Sequence, residues 1–316
     1  MLIKFAPLLL VICGILRSTD LYFRTPVVAT LPVITLITWE HLINLVVVSP
    51  ILIYNFRQYF KFRLKDFFLF IFIGCGASAL GILCFTQAFL YINPALAVLL
   101  QKLQPLMTIF MGAFILRERI ERRFFLWALI AIIASYFVSF GLADPFSGEW
   151  RKVAIGAGYA VLAAFFWGSG TIWGKILLER FSQLFVMSNR FLFGAIFTLI
   201  ISHLFGNGFQ AEVVFSPEKP LITSIIYMAI ISGFFATSFF YVGLKWVKAS
   251  LASILELVFP VSSVLIMWWS FNRPLTTAQI IAGIVLFTAM YKINSLNRNE
   301  DEIDTEPDSE LEPQKN

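Results

Sequence analysis

The stretch Ala95-Leu96-Ala97-Val98-Leu99-Leu100-Gln101 returns 155 positions later as Ser250-Leu251-Ala252-Ser253-Ile254-Leu255-Glu256. Leu96/Leu251, Ala97/Ala252 and Leu100/Leu255 are identical, Pro105/Pro260 follow at the same offset, and Phe85/Phe240 extends the match upstream. A shift of 150 sets Glu40 against Arg190 and Leu42 against Leu192. Both copies lie in apolar runs of the length that crosses a bilayer, about 20 residues. The pattern reads as a duplicated set of membrane helices, each copy with a proline near the middle of its fourth helix.

Working outward, ten such runs fall near 4–23, 33–55, 67–91, 94–116, 124–142, 153–177, 184–205, 221–244, 249–270 and 275–293. Composition agrees: 59% of the 316 residues are hydrophobic and only 14% charged, against about 25% charged in a soluble domain. Mean hydropathy is +0.82. Soluble enzymes, secreted disulfide scaffolds and disordered chains are excluded. The expected fold class is an all-α polytopic membrane protein. Cys13, Cys75 and Cys84 sit inside the apolar runs with no CxxC and no nearby histidine, so they read as small hydrophobes. Lys4 and the apolar run after it resemble a signal peptide, but Arg17 and Asp20 stand where a small-residue cleavage site belongs.

Alternate loops differ in basic residues. One set, including Lys4, Arg57, Lys61, Arg63, Lys65, Arg117, Arg119, Arg122 and Arg123, holds 15; the other holds Arg24, Arg151, Lys152, Lys219 and Arg273. By the positive-inside rule the first set is cytoplasmic, which places both termini inside the cytoplasmic (inner) membrane. The last twenty residues carry eight acidic and two basic side chains. Too few apolar groups remain there to offset the entropy of ordering, so 297–316 is expected to be a disordered acidic tail on a body of charge +11.

Five helices per copy is an odd number, so the second copy enters the membrane from the opposite side. The expected organisation is two inverted five-helix repeats, 1–148 and 149–296, an architecture recurrent among secondary transporters, with the site near the midplane. Further residues carry a family resemblance. Pro105 in helix 4 is followed by Glu118-Arg119-Ile120, Trp167-Gly168-Ser169 lies in helix 6, and Asn189-Arg190-Phe191 lies in helix 7. In these elements the chain resembles the drug/metabolite transporter superfamily, EamA type, over about residues 5–293. Helix 1 lacks the tryptophan (Ile12-Cys13-Gly14), helix 2 has Trp39-Glu40-His41 where an arginine is expected, and Asn272-Arg273-Pro274 replaces the acidic element. The resemblance implies a ten-helix carrier that works by alternating access.

Charged groups inside the bilayer cost at least about 2.5–3.5 kcal/mol each and need a partner or a purpose. Ser253, Glu256, Pro260 and Ser263 form a polar stripe on helix 9, and Gln101, Gln104, Pro105 and Thr108 form its counterpart on helix 4, flanked by Lys102. Each proline frees a carbonyl one turn earlier, that of Gln101 or Glu256. Two pairs follow, Lys102 with Glu256 and Glu40 with Arg190, each either structural or substrate-binding. Arg17 has Asp20 or Glu40 as candidate partners. The candidate binding residues are Lys102, Glu256, Gln101, Gln104, Arg190, Glu40, Arg17, Trp167 and Tyr241, with Trp173 a further aromatic wall. No HExxH, Gly-x-Ser-x-Gly or phosphate-loop motif is present, and the only histidines are His41 and His203. No metal, cofactor, enzymatic activity or nucleic-acid partner is expected. The expected cargo is a small polar organic metabolite, first an amino acid or similar zwitterion because charges of both signs lie in the spans. A nucleotide-like or S-adenosyl metabolite, and a non-transporting receptor or scaffold, are the alternatives; a coupling proton is left open.

Overall fold

A backbone that crosses a bilayer finds no water to bond, so it closes its hydrogen bonds within helices. In the computed structural model every regular element among the described residues is helical. Those are residues 2–303 apart from 119, 141, 143–148, 206–207, 217–219 and 272–275. Ten helices are long and apolar enough to span: α1 (Phe5–Val28), α2 (Val33–Tyr54), α3 (Leu64–Ala88), α4 (Pro94–Leu116), α5 (Arg122–Phe140), α6 (Trp150–Leu178), α7 (Gln183–Phe205), α8 (Ile222–Leu244), α9 (Ala249–Ile266) and α10 (Thr277–Leu296). The count matches the sequence reading. Helix α1 runs five residues further than its apolar window, which carries Arg24 from the expected outer loop into the bundle. The last helix continues to Ile303; the rest of the acidic tail, 304–316, lies outside the described residues, as do Arg119 and Asn272-Arg273-Pro274.

The packing repeats with a step of five helices. Helix α1 packs on α8 as α6 packs on α3; α1 touches α9 as α6 touches α4; α2–α7 and α5–α10 are pairs that map onto themselves. The interruptions repeat as well. Helix α4 breaks after Gln101 and resumes at Gln104; α9 breaks after Leu255 and resumes at Val258. Small residues bring neighbours against both breaks: a Cβ on Gly14 of α1 would meet the Val258 side chain at 2.4 Å, and one on Gly168 of α6 would lie 3.3 Å from the Gln104 carbonyl. Helices α3 and α8 each contain a stretch of π-helix, Phe72–Leu80 and Met228–Phe235. Such widened turns are frequent at functional sites.

One end of the bundle gathers the turns after α2, α4, α6 and α8, and it is tied heavily. Gln58 and Ser182 exchange two hydrogen bonds of 2.9 and 3.0 Å, Arg180 pairs with Asp66, and Tyr59 donates to Asn189 Oδ1 at 2.8 Å. Beneath them Phe62, Phe70, Phe181 and Phe185 form a closed aromatic layer with ring centroids 4.9–5.9 Å apart. The α8–α9 turn is clasped from two sides. Lys175 Nζ donates to the carbonyls of Leu244, Lys245 and Val247 at 2.8, 3.1 and 2.6 Å. The Glu118 carboxylate accepts from Ala249 N, Ser250 N and Ser250 Oγ at 2.6, 3.2 and 2.6 Å. A cation therefore sits at the C-terminus of one helix and an anion at the N-terminus of the next, each complementing its helix dipole. The α3–α4 turn is closed by Asn93, which caps α4 through Ala95 N with Pro94 in the first helical position.

Candidate functional site

A cavity of about 140 Å³ lies at midspan, enclosed by eight of the ten helices. Among the described residues, helices α5 and α10 contribute nothing to its wall and pack outside the ring. Its lining reaches Arg24, four residues from one end of α1, and Phe85, three from the end of α3. Toward the clasped end it stops at Thr237, seven residues short of the end of α8.

The charges along the wall divide into two clusters. In the first, Arg17 pairs with Glu256, Gln104 Nε2 donates to Glu256 Oε2 at 3.4 Å, and the Cys13 thiol lies 3.7 Å from Glu256 Oε1. Lys102 does not form the expected pair with Glu256. Its ammonium donates to Gln101 Oε1 at 3.0 Å and lies 4.3 Å from the centre of the Phe259 ring, a cation–π contact. The correction has a geometric cause. At the breaks at 102–103 and 256–257, Gln101 and Gln104 link the two groups, Gln101 Nε2 donating to Gln104 Oε1 at 2.5 Å, and Arg17 of α1 takes Glu256 Oε1 directly. The Glu256 carbonyl is not free either, since Phe259 N donates to it at 3.0 Å in a tight turn.

In the second cluster Arg24, 2% exposed, donates to both Asp20 oxygens at 2.5 and 2.9 Å and to Glu40 Oε2 at 3.0 Å. Thr86 accepts from its remaining arm at 3.1 Å, and Ser232 donates to Asp20 at 2.9 Å. Glu40 is thus paired with Arg24, not with Arg190. Arg190 instead donates to the Ala77 carbonyl at 2.9 Å, inside the π stretch of α3. His41 is a packed, hydrogen-bonded residue: one ring nitrogen meets the Ile37 carbonyl at 2.9 Å and the other meets Ser78 Oγ at 3.0 Å.

Of the nine candidate residues, the structure brings Arg17, Glu40, Gln101, Lys102, Trp167, Arg190 and Glu256 to this one cavity. Gln104 stands behind it, reaching it through Glu256 and Gln101. Tyr241 is fully buried against Gly174, away from the wall, and Trp173 packs its ring on Phe72. The polar stripe on α9 is mostly self-satisfied: Ser253 and Ser263 bond the carbonyls of Ser250 and Phe259. Asp20, Arg24, Asn44 and Ser232 were missed. The i,i+4 spacing of Asp20 and Arg24, and of Glu40 and Asn44, was the available signal, since each pair shares a helix face.

The fold and the cavity define a multi-pass membrane protein with a chamber at midspan walled by charged and aromatic side chains. The sequence pattern of the EamA-like transporter family matches residues 4–140 and again 154–295. The chain belongs to the EamA-like transporter family, and is a membrane transporter. It is 29% identical over 240 residues to the riboflavin transporter ImpX of Fusobacterium nucleatum, covering 75% of this chain and 79% of that protein. It is 26% identical over 200 residues to an uncharacterized transporter of Methanothermobacter thermautotrophicus and 27% over 199 to one of Archaeoglobus fulgidus. The matches span 55% and 66% of those archaeal proteins. A crystal structure at 18% identity shares the fold over 94% of this chain and 99% of its own, with a TM-score of 0.76.

Proposed function

We propose that the protein carries riboflavin or a closely similar neutral, planar heteroaromatic metabolite by alternating access. The observation that carries this reading is the pairing of the cavity's carboxylates. Arg17 holds Glu256, and Arg24 is shared by Asp20 and Glu40. An amino acid's ammonium group needs a carboxylate of its own, and its burial without one costs several kcal/mol. The carboxylates that argued for a zwitterion are held by arginines of the protein itself. What remains for a ligand is aromatic surface (Phe85, Trp167, Phe191, Phe259), uncharged hydrogen-bonding groups, and the cations Lys102 and Arg190, which face neutral partners and can donate to ring carbonyls. Flat rings with polar edges suit such a wall, few polar groups in a mostly apolar pocket being the usual pattern of small-molecule sites. The relative that transports riboflavin supports the same class of cargo.

The cavity is close in size to an engineered cavity of about 150 Å³ that holds one benzene ring. A tricyclic flavin therefore enters only when the chamber widens, which fits a carrier resting in a contracted state. Two five-helix repeats of opposed topology, 1–148 and 149–296, supply the moving halves; the packing that repeats with a step of five supports this organisation. Moving Arg24 into the bundle leaves 15 basic residues against four in alternate loops, which supports both termini on the cytoplasmic side of the cytoplasmic membrane.

The test is uptake into proteoliposomes of labelled riboflavin alongside a panel of labelled amino acids. Saturable riboflavin flux, absent from empty liposomes and from a Lys102→Met/Arg190→Met variant, is the expected result. Amino-acid flux without riboflavin flux overturns the reading.

A further inference from the structure

The second cluster of the cavity leaves three buried polar atoms without a hydrogen-bond partner: Glu40 Oε1, Asn44 Oδ1 and Arg190 Nε. Glu40 Oε1 lies 3.0 Å from the Arg24 guanidinium within the ion pair but accepts no hydrogen bond from it. Asn44 is oriented by its own amide nitrogen, which donates to the Glu40 carbonyl at 2.9 Å and leaves its oxygen unused. Arg190 is oriented by its bond to Ala77 O, which leaves Nε unused. All three residues line the same wall, on α2 and α7, the pair of helices that pack directly on each other. A buried polar group left unpaired is costly and calls for an explanation. The three atoms are covered in this structure, so contact with a ligand requires the chamber to widen.

The unused set is two acceptors and one donor. Its complement is a ligand edge with two donors and one acceptor. A flavin ring presents only one N–H, flanked by two carbonyls, and fills the set only with help from a side-chain hydroxyl. A 2-amino-4-oxopyrimidine ring, as in guanine and pterins, presents the whole set on one edge: an amino N–H, a ring N–H and a carbonyl. A carboxylate oxygen and an amide oxygen one turn apart on α2, with an arginine N–H on the packed helix α7, supply two acceptors and one donor for such an edge. We infer that the α2–α7 wall, Glu40, Asn44 and Arg190, reads a donor–donor–acceptor ring edge and admits guanine- or pterin-type compounds as cargo. This rests on the midspan cavity being the substrate site, but not on riboflavin being the cargo.

The experiment is ligand binding by the purified full-length protein in detergent, read by thermal stabilisation and by competition with riboflavin fluorescence quenching. The probes are guanosine, inosine, which lacks only the 2-amino group, and 6-hydroxymethylpterin. Guanosine and the pterin are expected to bind at least tenfold more tightly than inosine. The discrimination is expected to shrink to below threefold in Asn44→Leu, whose fold is checked by its melting temperature. Equal binding of guanosine and inosine overturns the inference, and so does riboflavin binding with no response to either purine or the pterin. Guanosine binding with no riboflavin binding upholds the inference while the riboflavin reading falls. The comparison of guanosine with inosine uses the unaltered protein, so it stands if Asn44→Leu does not fold.

Discussion

Arg24 shows how much rests on single charged side chains in this protein. It is almost fully buried between two carboxylates, and its removal leaves Asp20 and Glu40 facing each other in low dielectric. Breaking a buried ion pair from one side costs about 3–5 kcal/mol. Arg24→Met is therefore expected to lower the unfolding midpoint in detergent steeply, and Arg24→Met/Asp20→Asn to recover part of the loss. A second residue-scale expectation concerns Gly233 on α8: a Cβ there would lie 2.9 Å from Asn44 Nδ2. Gly233→Ala should displace the Asn44 amide and weaken ligand binding severalfold with a smaller effect on stability, measured by titration against melting. At this scale the sequence showed the charged residues of the spans, Arg24 excepted, and did not show who pairs with whom. Pairing depends on the rotation of each helix about its axis and on relative depth. Two proline-linked breaks changed both, so Glu256 met Arg17 rather than Lys102.

Helix contacts in this bundle run on small residues, as is usual where lipid removes the hydrophobic drive between helices. A Cβ on Gly170 of α6 would lie 2.2 Å from the Ala77 Cβ of α3, whereas one on Gly158 or Gly283 meets nothing within 4 Å. Overpacking costs about 1–3 kcal/mol, so Gly170→Ala is expected to destabilise by that amount. Gly158→Ala should lose nothing and gain up to about 1 kcal/mol from helix propensity. Comparing the two melting temperatures checks both. The ten helices were legible because hydropathy and length are enough to count spans. The far end of α1 was not, because Asp20 and Arg24 look like a loop to any hydropathy window while their mutual pairing keeps them inside. The breaks in α4 and α9 were foreshadowed by Pro105 and Pro260. The π stretches of α3 and α8 were not: Gly74, Ser78 and Gly81 announce close packing, but nothing in a run of small residues announces a widened turn.

For the molecule as a whole, repetition was readable and use was not. Recurrent residues at a fixed offset pointed to two like halves, and the packing follows the same step. The cargo depends on which polar groups are left over once the charges have satisfied one another, and no alignment of a chain with itself contains that subtraction. One feature breaks the likeness of the halves. Lys175 and Glu118 place six hydrogen bonds on the α8–α9 turn. The offset of 155 sets Asp20 opposite Lys175, and Asp20 spends its oxygens on Arg24 and Ser232 in the cavity wall. Lys175→Met removes a half-buried cation from three carbonyls, each such bond being worth up to about 1.5–3 kcal/mol, and should loosen that end selectively, seen as faster amide hydrogen exchange in residues 244–250. The consequence is kinetic. A carrier latched at one end crosses a higher barrier when it reorients that way than when it returns, and an unloaded protein has no ligand contacts to lower it. Its turnover should be governed by that single empty half-cycle, so counterflow against substrate trapped inside vesicles should outrun net filling of empty ones, and Lys175→Met should bring the two rates together.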